Sequence, residues 1–251
     1  MITFITGATS GFGRAIAEKF AAQQHNIIIT GRRNNLLQQV KSDIESKYNV
    51  KALALNFDVR DKKEVQRQIN NLPVEWQKID VLVNNAGLAL GKHYFEEADM
   101  DDWETMIDTN VKGLLYVSRA VIPLLIKNGT GHIINIGSVA AKNVYEKGNV
   151  YCATKRAVES ISHSMRVELL RHKIKVTAIH PGAAETEFSI VRFKGDENAA
   201  KAVYEGYKAL SAEDVADVTW YCASLPPHVC INELTLTPTA QADAFHFHKD
   251  Q

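Results

Sequence analysis

Short apolar segments alternate along the chain with longer segments in which apolar side chains recur every three or four residues. The short segments are rich in β-branched and aliphatic residues, which is typical of buried strands in a parallel sheet. They predict strands at Ile2–Thr6, Asn26–Thr30, Ala52–Phe57, Asp80–Asn84, His132–Gly137, Lys175–His180 and Leu234–Thr237. The longer segments predict helices at Gly13–Gln24, Asn34–Tyr48, Lys62–Leu72, Asp102–Lys127, Val150–His172 and Ala212–Ser224.

This alternation predicts right-handed crossovers and an α/β fold with one doubly wound parallel sheet. No low-complexity tract and no linker rich in Pro, Gly or Ser divides the chain, so we expect residues 1–251 to form a single domain. The regular alternation stops after Gly182, where polar residues and helix formers follow up to about Leu210. We expect residues 183–210 to leave the sheet and to cover a substrate.

Composition argues against several classes of protein. The chain has 29 Lys and Arg residues and 29 Asp and Glu residues, so no basic excess indicates binding to nucleic acid or to an anionic membrane. Its three cysteines have no metal-ligand spacing, and we expect neither a disulfide framework nor a bound metal. With no signal-peptide pattern and only short apolar runs, the sequence predicts a soluble cytoplasmic protein.

The glycine-rich segment "TGATSGFG", Thr6–Gly13, lies between the first predicted strand and the first predicted helix. Glycines permit close backbone approach, and a helix N-terminus offers free N–H groups to a pyrophosphate. A tight strand–helix connection is the alternative interpretation. The position of the segment favours a dinucleotide site, and the candidate contacts are Gly7, Thr9, Ser10, Gly11, Phe12 and Gly13.

The second predicted strand ends in "TGRR", where many dinucleotide-binding folds place an acidic residue against the ribose 2′-hydroxyl. Here the position holds Arg32 and Arg33. Arginine pairs with a 2′-phosphate through charge-assisted hydrogen bonds, whereas a carboxylate repels it. The pair therefore predicts NADP(H) as cofactor, with two solvated arginines as the alternative.

Further polar strand ends meet at the same carboxyl edge of the predicted sheet, where ligands of open α/β sheets bind. "NFDV" places Asp58 to accept a hydrogen bond from the adenine amino group, and Gly87 in "NNAG" allows the backbone to approach the cofactor. The additional candidate cofactor contacts are Val59, Asn85, Ala86, Pro181, Gly182 and Thr186.

A candidate acid–base site follows the fifth predicted strand. Ser138 lies at the strand end, and Tyr151 and Lys155 are four residues apart in a predicted helix, so they share one helical face. A neighbouring ammonium and an oxidised nicotinamide both favour the phenolate, so we expect a lowered pKa for Tyr151. Tyr151 then exchanges a proton with a carbonyl or alcohol oxygen, which Ser138 also hydrogen-bonds. Tyr151 and Lys155 are also candidate cofactor contacts, with Lys155 holding the ribose hydroxyls.

Two other polar groups bear on this site. Asn110 interrupts a long helical pattern, which indicates either a local kink or a polar group that relays protons from Lys155. The same spacing recurs at Tyr204 and Lys208, but Val191 instead of a serine lies thirteen residues before Tyr204, and no strand end is nearby. We therefore interpret the second pair as an incidental surface feature on a helix.

Taken together, these motifs resemble the short-chain dehydrogenase/reductase family over nearly the whole chain. The resemblance rests on "TGATSGFG", "NNAG", Asn110, Ser138, Tyr151-x-x-x-Lys155 and Pro181–Gly182, in this order. It implies a Rossmann fold with a seven-stranded parallel sheet, a homotetramer, and a catalytic tetrad at Asn110, Ser138, Tyr151 and Lys155.

Within the family, "NNAGLALG" and "TEFSIVRFKGD" are similar to NADP-dependent 3-hydroxy acid dehydrogenases, which oxidise serine and allo-threonine and reduce malonic semialdehyde. Those enzymes commonly read "PGLVETEFS" where this chain has "PGAAETEFS". A carboxylate substrate needs a cationic partner, and Arg192 is the candidate, with a solvated arginine as the alternative. The rival functions are a broader carbonyl or 3-oxoacyl reductase and a non-catalytic NADP-sensing protein.

Overall fold

The seven predicted strands all form, and each ends within one residue of its predicted bounds. The computed structural model describes residues 1–250. The strands are β1 (Ile2–Ile5), β2 (Asn26–Gly31), β3 (Ala52–Asn56), β4 (Val81–Asn84), β5 (Gly131–Ile136), β6 (Ile174–Pro181) and β7 (Glu233–Leu236). They pair in parallel in the order β3-β2-β1-β4-β5-β6-β7, which confirms the Rossmann-type sheet.

Helices cover both faces of this sheet. They are α1 (Gly11–Ala22), α2 (Asn34–Tyr48), α3 (Lys62–Asn70), α4 (Met100–Ile107), α5 (Leu114–Asn128), α6 (Asn149–Leu169), α7 (Glu187–Arg192), α8 (Glu197–Ala202) and α9 (Ala212–Ser224). Helix α1 begins two residues before its predicted start, because the last loop glycines already belong to its first turn. A 3₁₀ turn at Leu170–His172 takes up the predicted end of α6.

Strand side chains build a separate apolar core on each face of the sheet. Phe4 and Ile28 belong to the core that packs against α3 and α5. Ile5, Ile27 and Ile29 belong to the core that packs against α1, α2 and α9. Both faces are covered, so the strands read as continuous apolar runs rather than as alternating ones.

The predicted helix Asp102–Lys127 is instead three elements in one continuous path. A π-helical segment, Asp108–Gly113, joins α4 to α5 and contains Asn110. The path Met100–Asn128 is long and apolar enough to span a membrane, which the short apolar runs of the sequence did not indicate. Half of its most apolar stretch is buried, and Val117 and Val121 pack under the sheet, so it is a core helix.

The strand order reverses between β1 and β4: strands β1 to β3 extend to one side of this point, and strands β4 to β7 extend to the other. Strand β1 pairs with β2 on one side and with β4 on the other. Helices that follow these strands lie on opposite faces, so a crevice opens at the carboxyl edge. Residues 183–210 leave the sheet at this edge and return where the Leu210 N–H donates to the Ala183 carbonyl over 3.0 Å.

Candidate active site

One cavity of about 710 Å³ occupies the crevice at the carboxyl edge of the sheet. Nearly all of the candidate cofactor, catalytic and substrate residues line it. The two exceptions are Gly13 and Asn110, which do not line the cavity themselves but contact residues that do. The sequence motifs, which are scattered along the chain, therefore converge on one site.

The glycine-rich loop joins β1 to α1 at one end of this cavity. Gly7 and Gly11 have φ angles of +67° and +52°, which side chains rarely adopt. A Cβ on Gly7 would lie 2.9 Å from the Ala86 backbone, and one on Gly13 would overlap the Gly7 carbonyl oxygen. The Ser10 side chain does not cap α1, so the first N–H groups of the helix stay available to a phosphate. The loop therefore fits a dinucleotide pyrophosphate.

Two arginines flank the loop at the same end of the cavity. The Arg33 guanidinium donates to the hydroxyls of Thr9 over 3.0 Å and Ser10 over 2.8 Å, and it pairs with Glu187 over 3.0 Å. Arg32 is exposed and lies 3.8 Å from the Asp58 carboxylate. Both guanidinium groups thus border the place where an adenosine ribose would follow the pyrophosphate.

Asp58 is already hydrogen-bonded within the protein. Its carboxylate accepts from Arg60 over 2.7 Å. Although burial opposes ionisation, the hydrogen bonds and the charge of Arg60 hold the pKa of Asp58 below its usual value. The contact of Asp58 with an adenine amino group stays a prediction.

The "NNAG" segment after β4 is tied to the glycine-rich loop. The Asn85 side-chain amide donates to the carbonyl oxygens of Thr6 over 2.9 Å and Gly7 over 3.1 Å. The Thr6 hydroxyl in turn accepts from the backbone N–H groups of Asn85 and Ala86. These bonds give Asn85 and Thr6 a structural role that the sequence did not reveal.

Ser138, Tyr151 and Lys155 all line the cavity. Ser138 begins a 3₁₀ turn just after β5, and the other two lie one turn apart in α6. Tyr151 and Lys155 are 8% and 6% exposed, so both polar groups face the cavity from a buried position. The Lys155 ammonium donates to the Ile136 carbonyl over 2.9 Å and lies 6.0 Å from the Tyr151 ring centre.

The Asn110 side chain lies behind this group in the π-helical segment. Its carbonyl oxygen accepts from the Leu88 N–H over 2.8 Å, and its amide donates to the Leu88 carbonyl over 2.8 Å and the Thr154 hydroxyl over 3.0 Å. Asn110 thus interrupts the α-helix, as expected, and it fixes the segment that follows β4. Its part in a proton relay from Lys155 stays a prediction.

The pKa of Tyr151 moves in the opposite direction from the one expected. Burial raises it well above the usual value for tyrosine, and the nearby Tyr145 adds to the rise. Ser138 and Arg192 oppose the rise only in part. Burial also lowers the pKa of Lys155 to about 8, so its ammonium keeps most of its charge at neutral pH but does not offset the effect of burial on the phenol. The phenol is therefore protonated at neutral pH in the protein alone.

Arg192, the candidate substrate residue, lies in the cavity beside the tyrosine. Its guanidinium carbon is 5.7 Å from the Tyr151 ring centre. It donates to the Tyr145 hydroxyl over 3.0 Å and to the Gly91 carbonyl over 3.3 Å. Within residues 1–250 no carboxylate pairs with it, so its charge is uncompensated at the cavity wall.

Tyr204 departs from its interpretation as a surface residue on a helix. It lies in a turn after α8, half-buried, and it lines the cavity. Its hydroxyl is 2.6 Å from the Ser189 hydroxyl and donates to the Ala184 carbonyl over 2.8 Å. Lys208 is exposed, so the pair does not repeat the arrangement of Tyr151 and Lys155.

The C-terminal segment supplies lining residues that sequence patterns did not indicate. The Gln241 side chain accepts from the Ala183 N–H over 2.8 Å, and the Phe247 ring packs on Tyr207 with 5.2 Å between ring centres. Phe247 and Lys249 line the cavity. No local motif marks these residues, because their role depends on the fold bringing the end of the chain back to residues 183–210.

The arrangement is suited to acid–base chemistry on an oxygen next to a bound dinucleotide. The protonated Tyr151 phenol and the Ser138 hydroxyl lie within hydrogen-bonding reach of each other in the cavity. A cationic guanidinium faces the same space, and the glycine-rich loop with its two arginines forms the far end.

Comparisons with known proteins agree with this geometry. The family model described as short chain dehydrogenase matches residues 1–197. The chain is 46% identical to the NADP-dependent 3-hydroxy acid dehydrogenase YdfG of Escherichia coli strain K12 over 245 residues, 97% of each chain. It is 45% identical to sulfoacetaldehyde reductase 2 of Chromohalobacter salexigens over 251 residues, 99% of each chain.

The fold also matches a solved structure over its whole length. The closed form of serine dehydrogenase complexed with NADP+ superposes with a TM-score of 0.93 at 44% identity, covering 100% of both chains. The family model spans most of this chain, and relatives above 40% identity align along nearly all of it. This chain therefore belongs to the short-chain dehydrogenase family.

Proposed function

We propose that the protein is an NADP-dependent oxidoreductase that interconverts a small 3-hydroxy acid and its 3-oxo counterpart. Substrates of the serine, allo-threonine, 3-hydroxypropionate or malonic semialdehyde type fit this description. The observation that carries the proposal is the uncompensated guanidinium of Arg192 next to the Tyr151 phenol. Relatives named for 3-hydroxy acid and serine dehydrogenation support it.

NADP(H), when bound, supplies the hydride donor or acceptor for the reaction. We assign its phosphates to the glycine-rich loop and its 2′-phosphate to Arg32 and Arg33. The loop shape, the uncapped N-terminus of α1 and the position of both guanidinium groups support this assignment.

Tyr151 holds and transfers the proton of the reacting oxygen. In the reductive direction its protonated phenol donates to the carbonyl oxygen, and its raised pKa keeps the proton in place at neutral pH. Ser138 donates a hydrogen bond to the same oxygen. Lys155 favours the phenolate that remains, and Asn110 holds the adjoining backbone in place.

Arg192 binds the carboxylate of the substrate in this proposal, and residues 183–210 cover it. Helix α7 carries Arg192, and the Gly91 N–H donates to its backbone carbonyl over 2.9 Å. Lys194 pairs with Asp102 over 2.9 Å and ties the same segment to α4. These contacts hold the guanidinium over the cavity, where an anionic substrate neutralises it.

The direct test is the initial rate of oxidation with NADP+ and with NAD+ on a set of alcohols. L-serine, L-allo-threonine and 3-hydroxypropionate are compared with 2-hydroxyethanesulfonate and with a neutral secondary alcohol. Turnover of the carboxylates with NADP+ supports the proposal. Faster turnover of the sulfonate indicates a sulfoacetaldehyde-type reductase. Faster turnover of the neutral alcohol indicates a broader carbonyl or 3-oxoacyl reductase. No turnover of any substrate favours an NADP-sensing protein.

The Arg192→Met variant is expected to raise KM for 3-hydroxypropionate roughly 10- to 100-fold, the worth of a hydrogen bond to a charged group. The KM for a neutral alcohol should stay within about twofold, since that substrate has no charge to pair. Steady-state kinetics measures both values. Arg171→Met, at an exposed position outside the cavity, serves as the matched control. An unchanged KM for the acid would remove Arg192 from the substrate site.

We also propose a cytoplasmic homotetramer, as the family resemblance implies. Large apolar side chains on α5, on α6 and in the 3₁₀ turn that follows α6 support an assembly through these elements, since Leu115, Val167 and Leu170 are exposed in the single chain. Light scattering on the purified protein is expected to give four times the mass of the chain. A monomer mass would contradict this assembly.

A further inference from the structure

A second cluster of ionisable side chains lies outside the cavity, next to the turn that carries Ser138. Glu159 comes from α6, His180 from β6 and Glu233 from the first position of β7. One ligand atom from each of these three residues lies within 4.8 Å of the others. None of the three lines the active-site cavity. The cluster therefore has no role in the chemistry proposed above.

His180 is the unusual member of this cluster. Its side chain is fully buried, and its Nδ1 lies 3.2 Å from the Ser138 carbonyl oxygen. That geometry assigns the ring proton to Nδ1, which leaves the lone pair on Nε2. Among residues 1–250, Nε2 is a buried polar atom with no hydrogen-bond partner. Buried polar atoms without partners are uncommon, and here the atom belongs to a ring beside two carboxylates.

We propose that Glu159, His180 and Glu233 form a binding site for a divalent transition-metal ion of the zinc type. One imidazole nitrogen and two carboxylates make up a donor set that zinc accepts, with water completing the coordination. Histidine ligands commonly donate their other ring N–H to a backbone carbonyl, which fixes the tautomer and the ring orientation. The contact between His180 Nδ1 and the Ser138 carbonyl has this form.

The Lys142 ammonium is the competitor for this site. It forms ion pairs with Glu159 and, over 2.7 Å, with Glu233. Lysine has a flexible stem, and this side chain is partly exposed, so it can move into solvent when an ion binds. A divalent ion between the two carboxylates has twice the charge of the ammonium and also gains the His180 nitrogen. Arg156 stays paired with the outer oxygen of Glu159 over 2.9 Å.

An ion at this site would be coupled to the active site through one hydrogen bond. The His180 ring holds the carbonyl of Ser138, and Lys142 follows the 3₁₀ turn that Ser138 begins. Binding would move the Lys142 side chain and anchor the His180 ring. The site is thus separate from the substrate cavity but shares a backbone segment with it.

The test is titration of the metal-free protein with Zn²⁺ by calorimetry and with Co²⁺ by visible absorption. The unmodified protein is expected to bind one ion per chain at this site. Glu233→Gln is expected to weaken binding at least about tenfold, because it removes a ligand at the partly exposed edge of the site. Lys142→Met is expected to strengthen binding by about tenfold or more, because it removes the competing charge.

Two controls separate this site from adventitious binding at surface histidines. Glu168→Gln removes an exposed carboxylate from the same helix, α6, and is expected to leave the affinity unchanged. His180→Gln should abolish the visible band of Co²⁺, with circular dichroism confirming the fold. The proposal is overturned if no ion binds, if Glu233→Gln and Glu168→Gln bind alike, or if Lys142→Met does not bind more tightly.

Discussion

The Tyr151→Phe variant is expected to lower kcat by roughly 10²- to 10⁴-fold, the usual contribution of general acid–base catalysis. The substitution removes only the hydroxyl, and the ring that packs against Phe188 is retained. The dissociation constant for NADPH is therefore expected to change by less than about threefold. Stopped-flow or steady-state kinetics measures the first effect, and fluorescence titration with NADPH measures the second.

The matched control for this variant is Tyr221→Phe, because Tyr221 is exposed on α9 and outside the cavity. Its kcat should equal that of the unmodified protein. The raised pKa of Tyr151 also sets the expected pH dependence. Carbonyl reduction needs the protonated phenol and should hold its rate through neutral pH, whereas alcohol oxidation needs the phenolate and should accelerate as pH rises. Near-normal turnover by Tyr151→Phe would exclude the phenol as the acid–base group.

The double variant Arg32→Ala with Arg33→Ala is expected to raise KM for NADPH by roughly 10²-fold or more. Each guanidinium can form a charge-assisted hydrogen bond with the 2′-phosphate, worth about 1.5–3 kcal/mol. NADH has no such phosphate, so its KM should change by less than about fivefold. The ratio of kcat/KM for the two cofactors is the measurement, and it should shift toward NADH.

The single variants separate two roles of Arg33. Its guanidinium also donates hydrogen bonds to Thr9 and Ser10 of the glycine-rich loop. Arg33→Ala can therefore weaken the binding of both NADPH and NADH by disturbing the loop. Arg32→Ala leaves those hydrogen bonds in place and tests recognition of the phosphate alone. Arg67→Ala, exposed on α3, is the control. If every variant lowers kcat/KM equally with NADPH and with NADH, neither arginine recognises the 2′-phosphate.

The strands and the glycine-rich loop were predictable because their signals are local. A run such as Ile27–Ile29 is buried on both faces of a parallel sheet, so it stays apolar whatever its neighbours are. The arrangement of Ser138, Tyr151 and Lys155 was also predictable. A strand end fixes the first residue, and one turn of helix fixes the other two relative to each other.

Other features depend on contacts that no local pattern specifies. The lowered pKa expected for Tyr151 assumed a neighbouring ammonium together with an oxidised nicotinamide, whereas in the protein alone burial removes water from the phenol and raises the pKa. Tyr204 matched the spacing of Tyr151 but lies in the turn that follows α8 and not on a helix. Gln241 and Phe247 reach the cavity only through the path of the folded chain.

The π-helical segment Asp108–Gly113 determines how this region tolerates changes in chain length. A π turn closes each hydrogen-bonded ring with one more residue than an α turn, and each residue rotates a helix by about 100°. Loss of one residue here would restore an unbroken α-helix, yet it would rotate either Asn110 away from Leu88 or Val117 away from the sheet. A single extra residue therefore lets Asn110 face Leu88 in the active site while Val117, farther along the same helical path, still faces the sheet.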